Sequence, residues 1–145
     1  MRVRPAAIDD VEVLALLSGE LGYPATSTQV GARLQSLLTR EHEHAVFVAT
    51  VEEAIVGWIH VGLRRVLEAD DRAEILGLVV SSQARKRGAG RALIAAAESW
   101  AARLGLSEVV VRSNVARAES HPFYERLGYT RTKTQHVYLK IVRRT

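Results

Sequence analysis

The sequence predicts an α/β fold in a single domain spanning residues 1–145. Three observations predict it. Strand-like and helix-like segments alternate from end to end. The 145 residues, 48% hydrophobic and 25% charged, have the composition of one ordinary globular unit. No Pro/Gly/Ser-rich linker, low-complexity tract or internal repeat divides them. A chain of this length buries roughly 68–70% of its unfolded surface, enough for a core without metal or disulfide staples.

The elements follow in order. Arg2 to Pro5 reads as a short strand, and Asp9 and Asp10 as N-caps of a helix carrying Val11, Leu14, Leu17 and Leu21 on one side. Gly22, Tyr23 and Pro24 stop it. A second helix is expected after Ser27, with Val30, Leu34, Leu37 and Leu38 at helical spacing. Ala45 to Thr50 and Ile55 to Val61 read as strands joined by a Glu52-Glu53 hairpin turn. After the polar stretch Glu68 to Arg72, the apolar run Ala73 to Val80 is expected as a central strand buried on both faces. Gly88 to Leu104 is the clearest helix, with Leu93, Ile94, Ala97, Trp100, Ala101 and Leu104 in phase and Gly105 as its stop. Glu108 to Ser113 reads as a strand, followed by a short helix around Phe123 and Leu127 closed by Gly128. The tail alternates as two final strands, Tyr129 to Gln135 and His136 to Arg143.

The absence of cysteine excludes disulfides, thiolate metal sites and cysteine-bound covalent intermediates. MRVRPAAIDD lacks the apolar core of a secretion signal, and no apolar run approaches a membrane span, so a cytoplasmic location is expected. The net charge of +4 is unevenly spread. Residues 1–80 hold 7 Arg and Lys against 12 Asp and Glu, and residues 81–145 hold 13 against 4. The basic half suits phosphate groups and the acidic half a cationic ligand. Glu41-His42-Glu43-His44 resembles a metal cluster, but nothing elsewhere completes a ligand set; it reads as a charged turn, and no metal is expected.

The chemistry concentrates in Leu78-Val79-Val80-Ser81-Ser82-Gln83-Ala84-Arg85-Lys86-Arg87-Gly88-Ala89-Gly90-Arg91. A strand runs into a glycine-containing loop that opens a long helix, so unpaired N–H groups and the positive end of the helix dipole make an anion cradle. Gly88 and Gly90 allow close backbone approach, and Arg85, Lys86, Arg87 and Arg91 add charge. The Walker pattern fails because Gly90 is followed by Arg91-Ala92. The dinucleotide fingerprint fails because Leu93 stands at its third glycine.

These residues resemble the Gcn5-related N-acetyltransferases (GNAT), whose hallmark, Arg/Gln-x-x-Gly-x-Gly/Ala after a central strand, is met by Arg85, Gly88 and Gly90. Leu78-Val79-Val80 matches the family's Leu-x-Val approach, with Ser82 where proline is frequent. A second stretch, Arg117-Ala118-Glu119-Ser120-His121-Pro122-Phe123-Tyr124 through Gly128-Tyr129, is similar to Arg-x-x-Ala-His-x-Phe-Tyr-x-x-x-Gly-Phe/Tyr, with Ser120 for alanine and Pro122 tolerable within a first helical turn. The resemblance covers 73–140 strongly and 1–60 weakly.

The resemblance implies a mixed, mostly antiparallel sheet flanked by helices and splayed between two neighbouring parallel strands, here Ala73–Val80 and Glu108–Ser113. It places acetyl-CoA in the opening as co-substrate. The pyrophosphate would meet amides from Arg85 through Lys86, Arg87, Gly88, Ala89 and Gly90 to Arg91. The pantetheine would pair with the strand Leu78-Val79-Val80 through the backbone of Leu78 and Val80, and Asn114 would touch cofactor. Gly77 marks a bulge that would help the opening.

The reaction needs an amine stripped of its proton, donors for the oxyanion and an acid for the departing thiolate. By resemblance, Tyr124 is the acid; its alternative is a core tyrosine. Glu74, eleven residues before Arg85 as in the histone-acetylating branch, is the base; its alternative is a glutamate paired with a surface arginine. Glu74, Leu76, Leu78 and Val80 point one way if no bulge intervenes. Trp58 and His60 share a strand face and line the acceptor site, unless Trp58 is core. His121 relays a proton or caps the short helix. The expected function is direct acetyl transfer to a primary amine, of a cationic small molecule such as an aminoglycoside or polyamine. Protein lysine or N-terminal acetylation and a non-catalytic acyl-CoA sensor are the alternatives. Neither nucleic acid nor membrane is expected as a partner; a homodimer is, with edge strands from 129–143.

Overall fold

The computed structural model describes residues 1–20, 22–85, 87–112 and 120–143, with the side chain of Ser120 excepted. The chain forms two compact units, Met1–Arg112 and Ser113–Thr145. The first is a five-stranded sheet in sequential order. β1 (Arg2–Pro5), β2 (His44–Val51), β3 (Ala54–Val66) and β4 (Ala69–Val80) run antiparallel to their neighbours, and β5 (Val109–Val111) lies parallel to β4. The mixed, mostly antiparallel sheet is as expected.

Helix α1 (Val11–Glu20) follows a single 3₁₀ turn, Ile8–Asp10. Asp10 is not the cap but the third residue inside it. Its Oδ2 accepts the Ala7 N–H at 2.7 Å, and its two oxygens hold the Arg4 guanidinium at 2.9 and 3.0 Å. Helix α2 (Ser27–Leu38) starts one residue earlier than expected, because Thr26 and Gln29 close a reciprocal capping box at 3.1 and 3.0 Å. The β2–β3 turn is made by Glu52 and Glu53 at φ +50° and +71°, the left-handed pair that a two-residue hairpin requires.

The two faces follow from register, since partners opposite each other in an antiparallel ladder point the same way. Val46, Val48, Trp58 and His60 share one face, where Val46 and Val48 join Leu14 and Leu34 in a buried cluster with Trp58 packed on it. Ala49, Ile59, Val61, Ala73 and Ile75 share the other, beneath the apolar stripe Leu93, Ile94, Ala97, Trp100 and Ala101 of α3 (Ala89–Arg103). At Gly57 the chain leaves no room for a side chain: a Cβ would lie 2.8 Å from the Val79 carbonyl oxygen and 3.2 Å from Leu93 Cδ1.

Four expectations are corrected. The polar stretch 68–72 is strand from Ala69 onward, because Arg65–Asp71 (3.1 Å) and Arg64–Glu74 (2.9 Å) ion pairs carry the hairpin past its apolar part. β4 is not buried on both faces; Ala73, Ile75 and Val79 are buried while Leu76 is 48% exposed. Of the strand expected at 108–113, Val109–Val111 is strand and among the described residues pairs with Ala73–Ile75, while Glu108 and Arg112 are not in it and Ser113 lies outside the described residues. In the second unit, α4 (Ser120–Arg126) forms with Pro122 in its first turn, but 129–143 carries no regular structure. Alternating side chains make a strand only when the peptide groups join a ladder; here Val137, Tyr138, Leu139, Ile141 and Val142 are 81–92% exposed.

Candidate active site

β4 breaks step with both neighbours at one place. His60 stands opposite Gly77 and Val61 opposite Ile75, so Leu76 is an extra residue, a bulge immediately before Gly77. The parallel ladder to β5 ends at the same point, with Ile75 opposite Val111. From Leu76 to Val80 the described residues of β4 have a strand partner only on the β3 side. The Ser81 N–H donates to the Val56 carbonyl of β3 at 2.8 Å. Since successive N–H groups of a strand face opposite edges, those of Leu78 and Val80 face the unpaired edge. The bulge expected at Gly77 and the parallel pair are both present, and among the described residues the parallel ladder ends before Leu78-Val79-Val80.

The turn after β4 leads to the start of α3. Ala84 is buried and its N–H returns to the Ser81 carbonyl at 2.9 Å; Arg87 N–H reaches the Ala84 carbonyl at 3.3 Å. Gly88 takes φ +87°, and a Cβ there would meet nothing within 4 Å, so its need for glycine is the left-handed backbone rather than close approach. The Ala92 N–H makes the bond to the Gly88 carbonyl at 3.0 Å. The amides of Ala89, Gly90 and Arg91 lie in the first turn, ahead of it. Arg85, Arg87 and Arg91 are exposed around this helix start, and the Ala89 side chain is buried beneath it. Lys86 and Asn114 lie outside the described residues.

On the face shared with α1 and α2, Trp58 stands opposite Val79, His60 opposite Gly77 and Gly62 opposite Glu74. Leu78 and Val80 pair with Ile59 and Gly57 and so point to the other face. The bulge thus undoes the count that aligned Glu74 with Leu78 and Val80, and instead groups Glu74 with Trp58 and His60. The indole of Trp58 covers Gly77; a Cβ there would lie 2.9 Å from Cζ3. Trp58 Nε1 is buried with no partner among the described residues, a donor that a bound acceptor or thioester oxygen would satisfy. Glu74 is nearly buried, with Oε1 on Arg64 at 2.9 Å and Oε2 on Arg112 at 3.4 Å.

His44, assigned to a charged turn by its sequence neighbours, begins β2, and its Nδ1 lies 3.0 Å from His60 Nε2. Burial first, and the neighbouring charge of His44 second, push the His60 imidazole down to about 4, so it is neutral at pH 7. Arg64, Arg112 and His44 are the partners that sequence reasoning missed. In the second unit, Tyr124 lies on α4 with its ring edge-on to Phe123 (5.2 Å) and Tyr129 (6.0 Å). His121 is the second residue of α4. Among the described residues no group of three or more metal-ligating side chains occurs, and no helix is long and apolar enough to cross a membrane.

Comparison with known proteins places this geometry. The family model described as Acetyltransferase (GNAT) family matches residues 11–129. The aminoglycoside N(6')-acetyltransferase type 1 of Serratia marcescens is 26% identical over 113 residues, 75% of this chain and 77% of that protein. The apo aminoglycoside 6'-N-acetyltransferase AAC(6')-IG of Acinetobacter haemolyticus superposes with a TM-score of 0.84 at 18% identity, over 98% of this chain and 99% of that one. AAC(6')-Iy, solved with the bisubstrate analogue CoA-S-monomethyl-acetylneamine, gives 0.85 at 21% identity over 97% and 98%. A bulged strand with a parallel neighbour, followed by a turn with Gly88 at the helix start, and a family match over most of the chain identify it as a member of the acetyltransferase (GNAT) family, an acyltransferase.

Proposed function

We propose that this chain moves the acetyl group of acetyl-CoA directly to a primary amine of a cationic small molecule, of the aminoglycoside or polyamine kind, within one acetyltransferase domain over residues 1–145. The observation that carries the reading is the edge of β4 from Leu76 to Val80, which no strand among the described residues pairs. The Leu78 and Val80 amides face that edge, where among the described residues no strand pairs with them; they would hold the pantetheine arm, and one of them would receive the thioester oxyanion. The Ala89, Gly90 and Arg91 amides with Arg85, Arg87 and Arg91 would hold the diphosphate.

In this reading the acceptor amine approaches from the face bearing Trp58, His60 and Glu74. Trp58 Nε1–H would donate to the acceptor, and Glu74, held between Arg64 and Arg112, would fix a cationic group. Tyr124 would protonate the departing thiolate. The excess of Asp and Glu over residues 1–80 favours a cationic acceptor. The 6'-N-acetyltransferase relatives act on aminoglycosides, as their names state, and support the same acceptor class. A homodimer covering the exposed apolar tail is part of the proposal, read by light scattering.

The test is thiol release from acetyl-CoA with aminoglycosides, polyamines, lysine peptides and neutral amines as acceptors. Turnover of the polycationic small amines at least tenfold above the others is expected. Turnover confined to peptides or neutral amines overturns the acceptor assignment, and no thiol release with any amine overturns the enzyme.

A further inference from the structure

The pairing of His44 with His60 is explained neither by the core nor by the roles assigned above. The two residues come from adjacent strands and lie diagonally across the ladder: His44 opposite Gly62, His60 opposite Val46. They meet because Gly62 has no side chain; a Cβ there would stand 2.9 Å from His44 Nδ1. Their rings are 5.1 Å apart at 40°, with the Nδ1 to Nε2 distance of 3.0 Å that a single N–H···N hydrogen bond needs. One proton sits between them, leaving His60 Nδ1 and His44 Nε2 as the outer nitrogens. His60 is opposite Gly77, at the β4 bulge, and His44 follows the exposed turn residues 41–43.

We propose that His60 and His44 form a proton relay that carries the acceptor ammonium's proton from the opening at Gly77 to the rim of the sheet. The inference rests on the acetyl-transfer reading above. The amine N–H bond breaks and its proton passes, directly or through one water, to His60 Nδ1, leaving the lone pair on the amine nitrogen. The His60 Nε2–H bond breaks in the same event and that proton joins His44 Nδ1. His60 ends neutral and His44 ends as the imidazolium, which loses its proton to solvent; exchange of the outer nitrogens with water resets the tautomers. Burial of His60 disfavours a resting charge there, which is what drives the proton onward. The surroundings leave the pair this role. On β4, Glu74 is already bound to Arg64 of β3 and to Arg112. The charged residues of the helices over this face are Glu12 and Glu20 of α1 and Arg33 of α2, and Glu43 precedes His44. The lowering of His60 comes from its burial first and from the neighbouring His44 second.

The test measures acetyl transfer to a polyamine from pH 6 to 10 for the wild type, His44→Gln, His60→Gln and the double variant. Each single variant is expected to lose at least tenfold in kcat at pH 7, with KM for acetyl-CoA within about twofold. The double variant should fall no further than the singles, since the two act as a unit. The deficit should vanish as pH passes the amine's own pKa, where no proton needs removal; a merely structural role would leave it constant. A deficit independent of pH, or below twofold, overturns the relay while leaving the enzyme intact. A wild type that binds acetyl-CoA yet acetylates no amine overturns the acetyl-transfer reading and the relay with it. Should a variant not fold, ¹⁵N spectra of the wild-type imidazoles decide: a shared N–H···N proton is expected, and two rings independently exposed to water contradict the relay.

Discussion

Gly77 shows how much one residue can hold. It sits directly after the bulge, opposite His60 and under the Trp58 indole, and any side chain there would run into Cζ3 at 2.9 Å. Gly77→Ala is expected to destabilise the protein by about 1–3 kcal/mol, read by urea denaturation, since the ring must move off its packing. A change below about 0.5 kcal/mol would mean that the strand absorbs the methyl group freely. His60 makes a prediction in pH. Its folded-state value lies below the ordinary 6.5, at about 4, so the unfolded chain binds its proton first. The stability this residue contributes is therefore complete above pH 6.5 and is lost as the pH falls towards 4. His60→Gln should flatten the dependence of Tm on pH across that window. Tyr124→Phe should lower kcat about 100-fold, the scale of a lost general acid, with acetyl-CoA affinity by calorimetry within about twofold. Equal losses in affinity would make Tyr124 a packing residue.

At the scale of elements, the glycine before α3 does its work through backbone conformation. Gly88→Ala forces a β-carbon into φ +87° and is expected to cost about 1–2 kcal/mol of stability, together with a measurable weakening of CoA binding as the helix start distorts. Unchanged CoA affinity would separate the turn from the diphosphate. This element was legible in the sequence because apolar spacing, a glycine start and Gly105 as stop all agree on it. The hairpins were less so. Counting back from Glu52-Glu53 places Val46 opposite Ile59; the register shift between Ala49 and Thr50 inserts one residue and puts His60 there instead. No residue type announces that shift, so the His44–His60 contact could not be counted from sequence. The Gly77 bulge could be suspected, because glycine inside an apolar strand is rare enough to mark one.

At the scale of the whole molecule, the two motifs led to the family and the charge division to a cationic acceptor, while the arrangement of the acceptor side came from register and ion pairs. Glu74 shows the difference: its position in the strand was legible, but its two arginine partners come from β3 and from Arg112 just beyond β5, at separations of 10 and 38 residues that no local pattern encodes. The tail shows the opposite failure. Its alternation reads as strand, yet alternation specifies faces and not a partner, and 129–143 has no regular structure. In the proposed reaction the β4 edge from Leu76 to Val80 and the first turn of α3 together hold acetyl-CoA. Amide hydrogen exchange with and without the ligand tests it most directly. Slowed exchange at Leu78, Val80, Ala89, Gly90 and Arg91 on adding acetyl-CoA is the result expected. Unchanged exchange at those five amides under saturating acetyl-CoA would contradict it.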